Sequence, residues 1–308
     1  MNTWTSNQGV VLPPPARRTS QGLRHWLHRS LQRLQAMRPA TPRTTHRPLG
    51  LWLAWGVVAL ALLWAIVPGL FASQDPLVGQ AGQQLRAPSV QHWLGTDALG
   101  RDLWARVVHG AAHSLTGALV AVGLGLTVGT ALGLLAGAVG GRTENALMRV
   151  VDVLLAIPSL LLSLTIIILL GFGTVNAAIA VGVASIASFA RLVRAEVVRV
   201  RRAEYVEAAL GSGGRFLPVL WRHVLPNSLT SVLAMAALQF GSAILAIATL
   251  GFLGYGAPPP TPEWGLLIAE GRNYVSTAWW LTTLPGLLVV AVVLAVNRIS
   301  VALAGSAP

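Results

Sequence analysis

The chain has 308 residues, of which 54% are hydrophobic and 10% charged, and its formal net charge is +12. So little polar surface excludes an ordinary soluble domain and indicates a protein that crosses a membrane several times. All 22 basic residues are arginine and there is no cysteine. These absences exclude a phosphate-binding loop of the GxxxxGK[ST] type, a thiol nucleophile and a thiolate metal site in this sequence.

The first segment, residues 1–50, is rich in arginine and proline and contains no acidic residue. Such a composition is typical of a transit peptide, but the cytoplasmic flank of a first membrane span requires the same charge, and we favour the flank. Within the segment the sequence predicts an amphipathic helix on the membrane surface. Its apolar face comprises Leu23, Trp26, Leu27, Leu31 and Leu34.

Hydropathy predicts an all-α protein with about six membrane spans, each near the ~20 residues that cross the hydrocarbon layer. A first span at 51–72 precedes a loop at 73–114, and a core of five further spans occupies 115–304 before a short tail at 305–308. Within the core, a polar loop at 199–223 and a second loop at 255–280 separate the later spans. The predicted spans of the core are 115–139, 146–170, 175–198, 224–254 and 281–303.

The distribution of arginine predicts the orientation, because cytoplasmic flanks are enriched in basic residues. If the N-terminus is cytoplasmic, the inner segments hold most of the arginines outside the spans. The outer loops hold Arg86, Arg101, Arg106 and Arg272, offset by acidic residues. This orientation places 199–223 in the cytoplasm and 73–114 and 255–280 on the outer side.

The polar segment EYVEAALGSGGRFLPVLWRHVLPN, Glu204–Asn227, is the strongest candidate for a docking element. Its first residues favour helix, and the glycines that follow allow the chain to reverse direction. A short helix, a turn and a second helix would therefore project from the membrane. The candidate contact residues are Glu204, Tyr205, Glu207, Ala208, Ala209, Gly213, Arg215, Leu225 and Pro226.

This segment resembles the cytoplasmic-loop signature of ABC importer permeases. Glu207–Ala209 matches the EAA element, Gly213 follows at the family's spacing, and Leu225 and Pro226 match the closing Leu-Pro pair. His223 departs from the pattern, which usually has an apolar residue there.

Two outer segments resemble one subfamily, the second permease subunit of dipeptide, oligopeptide and nickel importers. HWLGTDALGRDLWARVVHGAAHSL, His92–Leu115, is similar to its LGTDxxGRDxxSRxxxG segment, with Ala105 in place of the usual serine. GYGAPPPTPEWGLLIAEGRNYVSTAWW, Gly254–Trp280, is similar to its GxGxxPPxPxWGxxxxEGR segment. On this basis the second loop either faces a solute-binding protein or is an anchored loop without direct contact.

The resemblance implies the MetI-like fold of type I ABC importers in the bacterial inner membrane. It also implies a second homologous permease subunit, two cytoplasmic ATP-binding subunits, an extracytoplasmic solute-binding protein and transport by alternating access. ATP and magnesium would be bound by the partner ATPases, so no cofactor and no catalytic site are expected in this chain. The implied solutes are peptides or related small molecules, including nickel chelates.

Two acidic residues near the cytoplasmic ends of predicted spans, Asp152 and Glu196, are further candidates. Burying a charged side chain at membrane depth costs free energy, so such a residue is first considered as a functional candidate. Arg149, Arg194 and Arg199 lie close enough in sequence to pair with them, so we favour structural ion pairs over a proton relay.

The spacing of three histidines is a weak indication of a metal site. His109 and His113 are four residues apart and His92 lies upstream, but there is no HExxH pattern and no thiolate. We therefore predict no metal site. Ser212 and His223 have no acidic third partner for nucleophilic hydrolysis.

Glycine and tryptophan give two structural predictions. Gly125, Gly129, Gly133 and Gly137 recur every fourth residue, which permits close helix packing. Three tryptophans of the second loop suit the membrane interface; they are Trp264, Trp279 and Trp280.

The main competing class is an ion-coupled secondary transporter, which would need no ATPase. Such proteins typically show inverted repeats and ionisable residues at the membrane midplane, and the sequence shows neither. Nucleic-acid binding is disfavoured because the positive charge flanks the spans rather than alternating with stacking aromatics.

Overall fold

A computed structural model describes residues 48–213, 216–219, 222 and 225–305. The regular structure in these ranges is almost entirely α-helical, with two 3₁₀ turns, Pro68–Leu70 and Arg272–Tyr274, and one isolated β-bridge between Thr96 and Asp102. The α-helices are α1 (Pro48–Ile66), α2 (Leu103–Val139), α3 (Gly141–Ala156), α4 (Ser159–Leu170), α5 (Thr174–Arg201), α6 (Glu204–Gly211), α7 (Phe216–Val219), α8 (Leu225–Phe252), α9 (Trp264–Gly271) and α10 (Trp280–Gly305). The predicted amphipathic helix of the N-terminal extension, and residues 306–308 of the tail, lie outside the described ranges.

Five helices are long and apolar enough to cross a membrane, namely α1, α2, α5, α8 and α10. The pair α3 and α4 reaches the same criterion together, so the described chain has up to six candidate spans. The prediction of about six spans in an all-helical protein is therefore confirmed.

The third predicted span, 146–170, is wrong as a single straight helix. It consists of α3 and α4, which meet at an angle of 93°. The break falls at Ile157 and Pro158, because the proline ring disfavours helical angles in the residue before it. Ile157 is extended, with φ −85° and ψ 129°.

The limits of the first two spans also differ from the prediction. α1 ends at Ile66 rather than near 72, because Pro68 opens a 3₁₀ turn directly after it. α2 begins at Leu103, well before the predicted 115, because the carboxylate of Asp102 caps it by accepting a hydrogen bond from the Ala105 N–H at 2.8 Å. A capped helix start within a polar segment gives no hydropathy signal, which explains the error.

The helices α2 and α5 form the principal packing contact of the core, and the predicted glycine series makes it possible. A Cβ added at Gly129 would lie 2.8 Å from the Ile186 carbonyl oxygen, and one at Gly133 would lie 2.6 Å from the Ala190 carbonyl oxygen. At Gly137 the added atom would lie 3.1 Å from the Arg194 carbonyl oxygen. The close approach of the two backbones thus requires glycine at these positions, as predicted from their spacing.

Two long loops connect the helices at the end of the molecule where α2 begins. The first loop, residues 67–102, joins α1 to α2, and the last loop, residues 253–279, joins α8 to α10 and contains α9. Trp64 of α1 packs edge-on against Trp104 of α2, with ring centroids 5.2 Å apart. The indole N–H of Trp104 donates to the Phe71 carbonyl oxygen at 2.8 Å, which fixes the start of the first loop.

We predict that Gly133→Leu destabilises the protein by roughly 3 kcal/mol or more, because overpacking at a backbone contact cannot be relieved by a side-chain rotation. The measurement is the thermal midpoint in detergent. Gly123→Ala on the same helix is the control, since an added Cβ there meets nothing within 4 Å. Equal midpoints for the two variants would contradict the packing role of Gly133.

Candidate functional site

The predicted docking segment forms a short helix, α6, that begins directly after α5. Val206 is buried, with 1% of its surface exposed, and anchors α6 to the core. Glu204, Tyr205 and Ala208 are exposed, whereas Ala209 is half-buried. The helix therefore has one face on the protein and one available to a partner.

The remaining residues of the docking segment lie in the turn and at the start of α8. Gly213 has a φ of +89°, in the left-handed region that favours glycine, so the chain turns there after α6. Leu225 and Pro226 open α8, where the missing N–H of proline costs no helical hydrogen bond. Glu207 lies within α6, and Arg215 falls outside the described residues.

α6 lies at the opposite end of α2 from the two loops. The Arg201 guanidinium, at the end of α5, donates to the carbonyl oxygens of Gly137 and Ala138 at 2.9 and 2.6 Å. Those carbonyls belong to the last turns of α2. With about 1.5 Å per residue, the 37 residues of α2 separate its two ends by about 55 Å.

The two acids singled out near the span ends both lie beside arginines. Asp152 of α3 pairs with Arg191 of α5, and Glu196 pairs with Arg199 on the next turn of α5 at 2.6 Å. Arg194 is paired with neither of these acids. Its Nε donates to Glu144 of α3 at 2.6 Å, so two arginines of α5 contact two carboxylates of α3.

At the other end of α2, an ion network that the sequence pattern does not predict joins the two loops. Arg106 is fully buried, and its Nη1 lies 2.7 Å from Asp97 of the first loop and 2.5 Å from Glu270 of α9. Its Nη2 also donates to the Pro260 carbonyl oxygen at 3.4 Å. Arg101 contacts the same two carboxylates, at 2.6 Å and 3.4 Å. Two guanidinium groups and two carboxylates thus neutralise one another in a layer that is buried except at Glu270, whose side chain is 25% exposed.

The second buried polar contact of the first loop involves His92 and Asp102. The Nδ1 of His92 lies 2.8 Å from Oδ2 of Asp102, whose other oxygen caps α2. The Nδ1 of His109 lies 2.9 Å from the Ala105 carbonyl oxygen and therefore carries a hydrogen. These histidines thus make structural hydrogen bonds, and no cluster of three or more metal-ligating residues occurs in the described part of the chain.

Glu263 is the buried acid of the last loop, with 1% of its surface exposed. Its carboxylate caps α9 by accepting hydrogen bonds from the N–H groups of Gly265 and Leu266 at 2.9 and 3.1 Å. Burial raises its pKa from 4.5 to about 6, and these hydrogen bonds offset only part of that effect.

Of the three tryptophans expected at the membrane interface, Trp264 and Trp280 are instead buried within the protein. Trp264 is completely buried, and its indole N–H donates to the Val107 carbonyl oxygen at 3.0 Å. Trp280 is also buried, whereas Trp279 is 53% exposed. Indole rings suit both a membrane interface and a buried site with a hydrogen-bond partner, and composition cannot distinguish the two.

A cavity of about 440 Å³ lies among α2, α4, α5 and α8. It is lined by alanine, valine and leucine and by uncharged polar side chains, with no acidic or basic residue. Uncharged polar side chains among membrane-spanning helices either hydrogen-bond to a neighbouring helix or line a solute path.

Comparison with known proteins decides the family. The profile of the binding-protein-dependent transport system inner membrane component matches residues 129–305. The chain belongs to this family of permeases. It is therefore a multi-pass inner-membrane component of a binding-protein-dependent ABC importer, in a family whose members have no catalytic site of their own.

Individual relatives agree with this assignment. The permease is 39% identical to the dipeptide transport system permease protein DppC of Alkalihalophilus pseudofirmus, over 79% of this chain and 80% of the relative. It is 46% identical to the di/tripeptide transport system permease protein DppC of Pseudomonas aeruginosa, over 66% and 67% of the two chains. It is 40% identical to the glutathione transport system permease protein GsiD of Pectobacterium atrosepticum, over 68% and 70%.

The fold is that of a solved permease. A structure of the MetNI methionine ABC transporter in inward facing conformations matches with a TM-score of 0.52 and 19% identity, over 65% of this chain and 97% of that chain. The predicted MetI-like fold is therefore confirmed.

We predict that Arg106→Met destabilises the permease by about 3 kcal/mol, because Asp97 and Glu270 each lose a charge-assisted hydrogen bond and keep only Arg101 as a cationic partner. The measurement is the free energy of unfolding in detergent. Arg86→Met is the control, since Arg86 is exposed in the same loop and its guanidinium has only a 3.3 Å hydrogen bond to Gly82. A change within ~0.5 kcal/mol for both variants would show that the network is not stabilising.

Glu263 predicts a pH dependence of stability. Because its pKa is raised on folding, its contribution is fully present below about pH 4.5 and is lost as the pH rises through about 6. Between pH 5 and pH 7 the free energy of unfolding therefore falls by ~1 kcal/mol. Glu263→Gln should reduce this difference between the unfolding free energies at the two pH values, whereas Asp75→Asn, at an exposed acid, should not. If the difference is unchanged in Glu263→Gln, the Glu263 carboxylate is not the source of the pH dependence.

Proposed function

We propose that this permease forms half of the translocation path of an ATP-driven importer for short peptides. The cavity among α2, α4, α5 and α8 carries the proposal, because its volume of about 440 Å³ lies within the ~300–1,000 Å³ range of small-molecule sites. The three relatives described above are named for dipeptide, di/tripeptide and glutathione transport, which are all short peptide solutes.

The proposed assembly contains a second homologous permease subunit, two cytoplasmic ATP-binding subunits that hold ATP and magnesium, and an extracytoplasmic binding protein. The arginine distribution supports a cytoplasmic N-terminus, which places α6 in the cytoplasm and the first and last loops on the outer side. The buried layer around Arg106 then holds the outer surface in one arrangement for the binding protein.

α6 is the proposed contact with one ATPase. Tyr205 is 48% exposed and Ala208 is also exposed, while Val206 fixes the helix to the core. Movement of an ATPase would pass from α6 to α5, and from α5 to α2 through the glycine contacts. Rigid-body rocking of these helices would open the cavity alternately to each side of the membrane.

The ion pairs between α3 and α5 are proposed to be structural. Each of the four charged groups has an oppositely charged partner, and the pairs Asp152 with Arg191 and Glu144 with Arg194 tie the bent span to α5. A proton relay would instead require an ionisable side chain in the cavity, and the cavity lining contains none.

Charge reversal in α6 tests the coupling role. We expect Glu207→Arg to abolish ATP-dependent dipeptide uptake by the reconstituted importer, at least ten-fold below wild type, while membrane insertion is unchanged. Asp75→Arg, the same reversal at the opposite end of the molecule, should retain uptake. Uptake that persists in Glu207→Arg would count against docking at α6.

The competing ion-coupled mechanism makes a different prediction for the same preparation. Uptake that proceeds without any bound ATPase, and that an ionophore abolishes, would establish secondary transport and overturn the importer proposal.

A further inference from the structure

The cavity among α2, α4, α5 and α8 has a chemical character that the proposed function does not specify. Its polar lining is entirely uncharged and comes from three helices. The polar lining residues are Ser159 and Ser163 of α4, Ser185 and Ser188 of α5, and Gln239, Ser242 and Thr249 of α8. The other lining residues are alanine, valine and leucine.

Most of these hydroxyl groups already donate their hydrogen to a helix backbone. Ser185 donates to the Gly182 carbonyl oxygen and Thr249 to the Leu245 carbonyl oxygen, both at 2.7 Å. Ser163 donates to the Ala180 carbonyl oxygen at 3.4 Å. A hydroxyl whose hydrogen is engaged still has lone pairs, so it faces the cavity as an acceptor.

Three polar side chains of the lining remain without a hydrogen-bond partner among the described residues. They are Ser159, Ser188 and Gln239, one from each of α4, α5 and α8. Ser188 and Gln239 are half-buried. A half-buried amide between membrane-spanning helices is expected to bind water or solute, because leaving its groups unpaired is unfavourable.

A lining of many acceptors, one amide and no charge fits the backbone of a peptide. Peptide N–H groups and an N-terminal ammonium donate to hydroxyl oxygens, and the carboxamide of Gln239 can donate to a peptide carbonyl and accept from a peptide N–H. No group of the lining can form a salt bridge with a charged side chain of the peptide. The alanine residues of the lining leave room for peptide side chains of different size.

We propose that this cavity is a transit site that recognises the peptide backbone, with Gln239 and Ser188 as its principal contacts, and that it does not select by side-chain charge. This inference rests on the proposed function and specifies which part of the peptide the cavity recognises. Hydrogen bonds to the backbone N–H groups of the peptide assist its passage, while discrimination between side chains occurs outside this cavity.

The test measures ATP-dependent uptake by the complete importer in proteoliposomes, with the binding protein saturated by each substrate. The substrates are alanyl-alanine and alanyl-N-methylalanine, which lacks the peptide N–H. We expect the double variant Gln239→Leu with Ser188→Ala to slow alanyl-alanine uptake roughly ten-fold, given two lost hydrogen bonds. The N-methylated peptide should be slow in the wild type and should lose clearly less in the variant, because part of the interaction is already absent.

Thr165→Val is the matched control. Its hydroxyl, also on α4, donates to the Leu161 carbonyl oxygen at 2.9 Å and does not line the cavity. Stimulation of the ATPases by loaded binding protein reports assembly in every variant, and Ser188→Ala alone serves if the double variant does not assemble.

The outcomes separate the two proposals. Equal losses for both substrates, or no loss, would overturn backbone recognition while leaving peptide import in place. Failure of the wild-type importer to take up any peptide would instead overturn the proposed function. A much greater loss for lysyl-alanine or aspartyl-alanine than for alanyl-alanine would show that the site senses side-chain charge, contrary to the inference.

Discussion

The arrangement of the non-helical part of this permease depends on one buried guanidinium. Arg106 lies on the first turns of α2, is fully buried, and contacts carboxylates from both long loops. A buried charge is tolerated only when it is paired. If either loop moved away, Arg106 would lose one of its carboxylate partners at a large electrostatic cost. The capping carboxylates of Asp102 and Glu263 then set where α2 and α9 begin.

A second constraint connects this layer to the far end of the molecule. Backbone contact between α2 and α5 is possible because Gly129 and Gly133 have no side chain, and the Arg201 guanidinium joins the last turns of the two helices. In the proposed mechanism α5 continues into α6, so a displacement of α6 by an ATPase acts on a tightly packed helix pair rather than on an isolated span. The bent span formed by α3 and α4 is tied to α5 by ion pairs and would move with it.

The sequence predicted what depends on regular periodicity and composition. The helical class, the number of spans, the glycine contact and the family follow from hydropathy, four-residue spacing and three separated motifs. The bend at Ile157 and the early start of α2 were missed because proline and an N-cap act locally within otherwise continuous patterns. The network of Arg106 was missed because its carboxylates come from residues 97 and 270, and only folding brings them together. The acids and arginines within the two loop motifs were the only sequence signal of this network.

Site-specific cross-linking would test the central claim, that α6 receives the movement of an ATPase subunit, most directly. The natural chain has no cysteine, so Ala208→Cys on the exposed face of α6 provides a single reactive thiol. If α6 docks on an ATPase, a short thiol-to-amine reagent joins this thiol to the ATP-binding subunit, with a yield that changes when ATP is bound. Val78→Cys in the first loop then gives no such product. A transport-active importer in which the thiol at 208 is never cross-linked to an ATPase would contradict docking at α6.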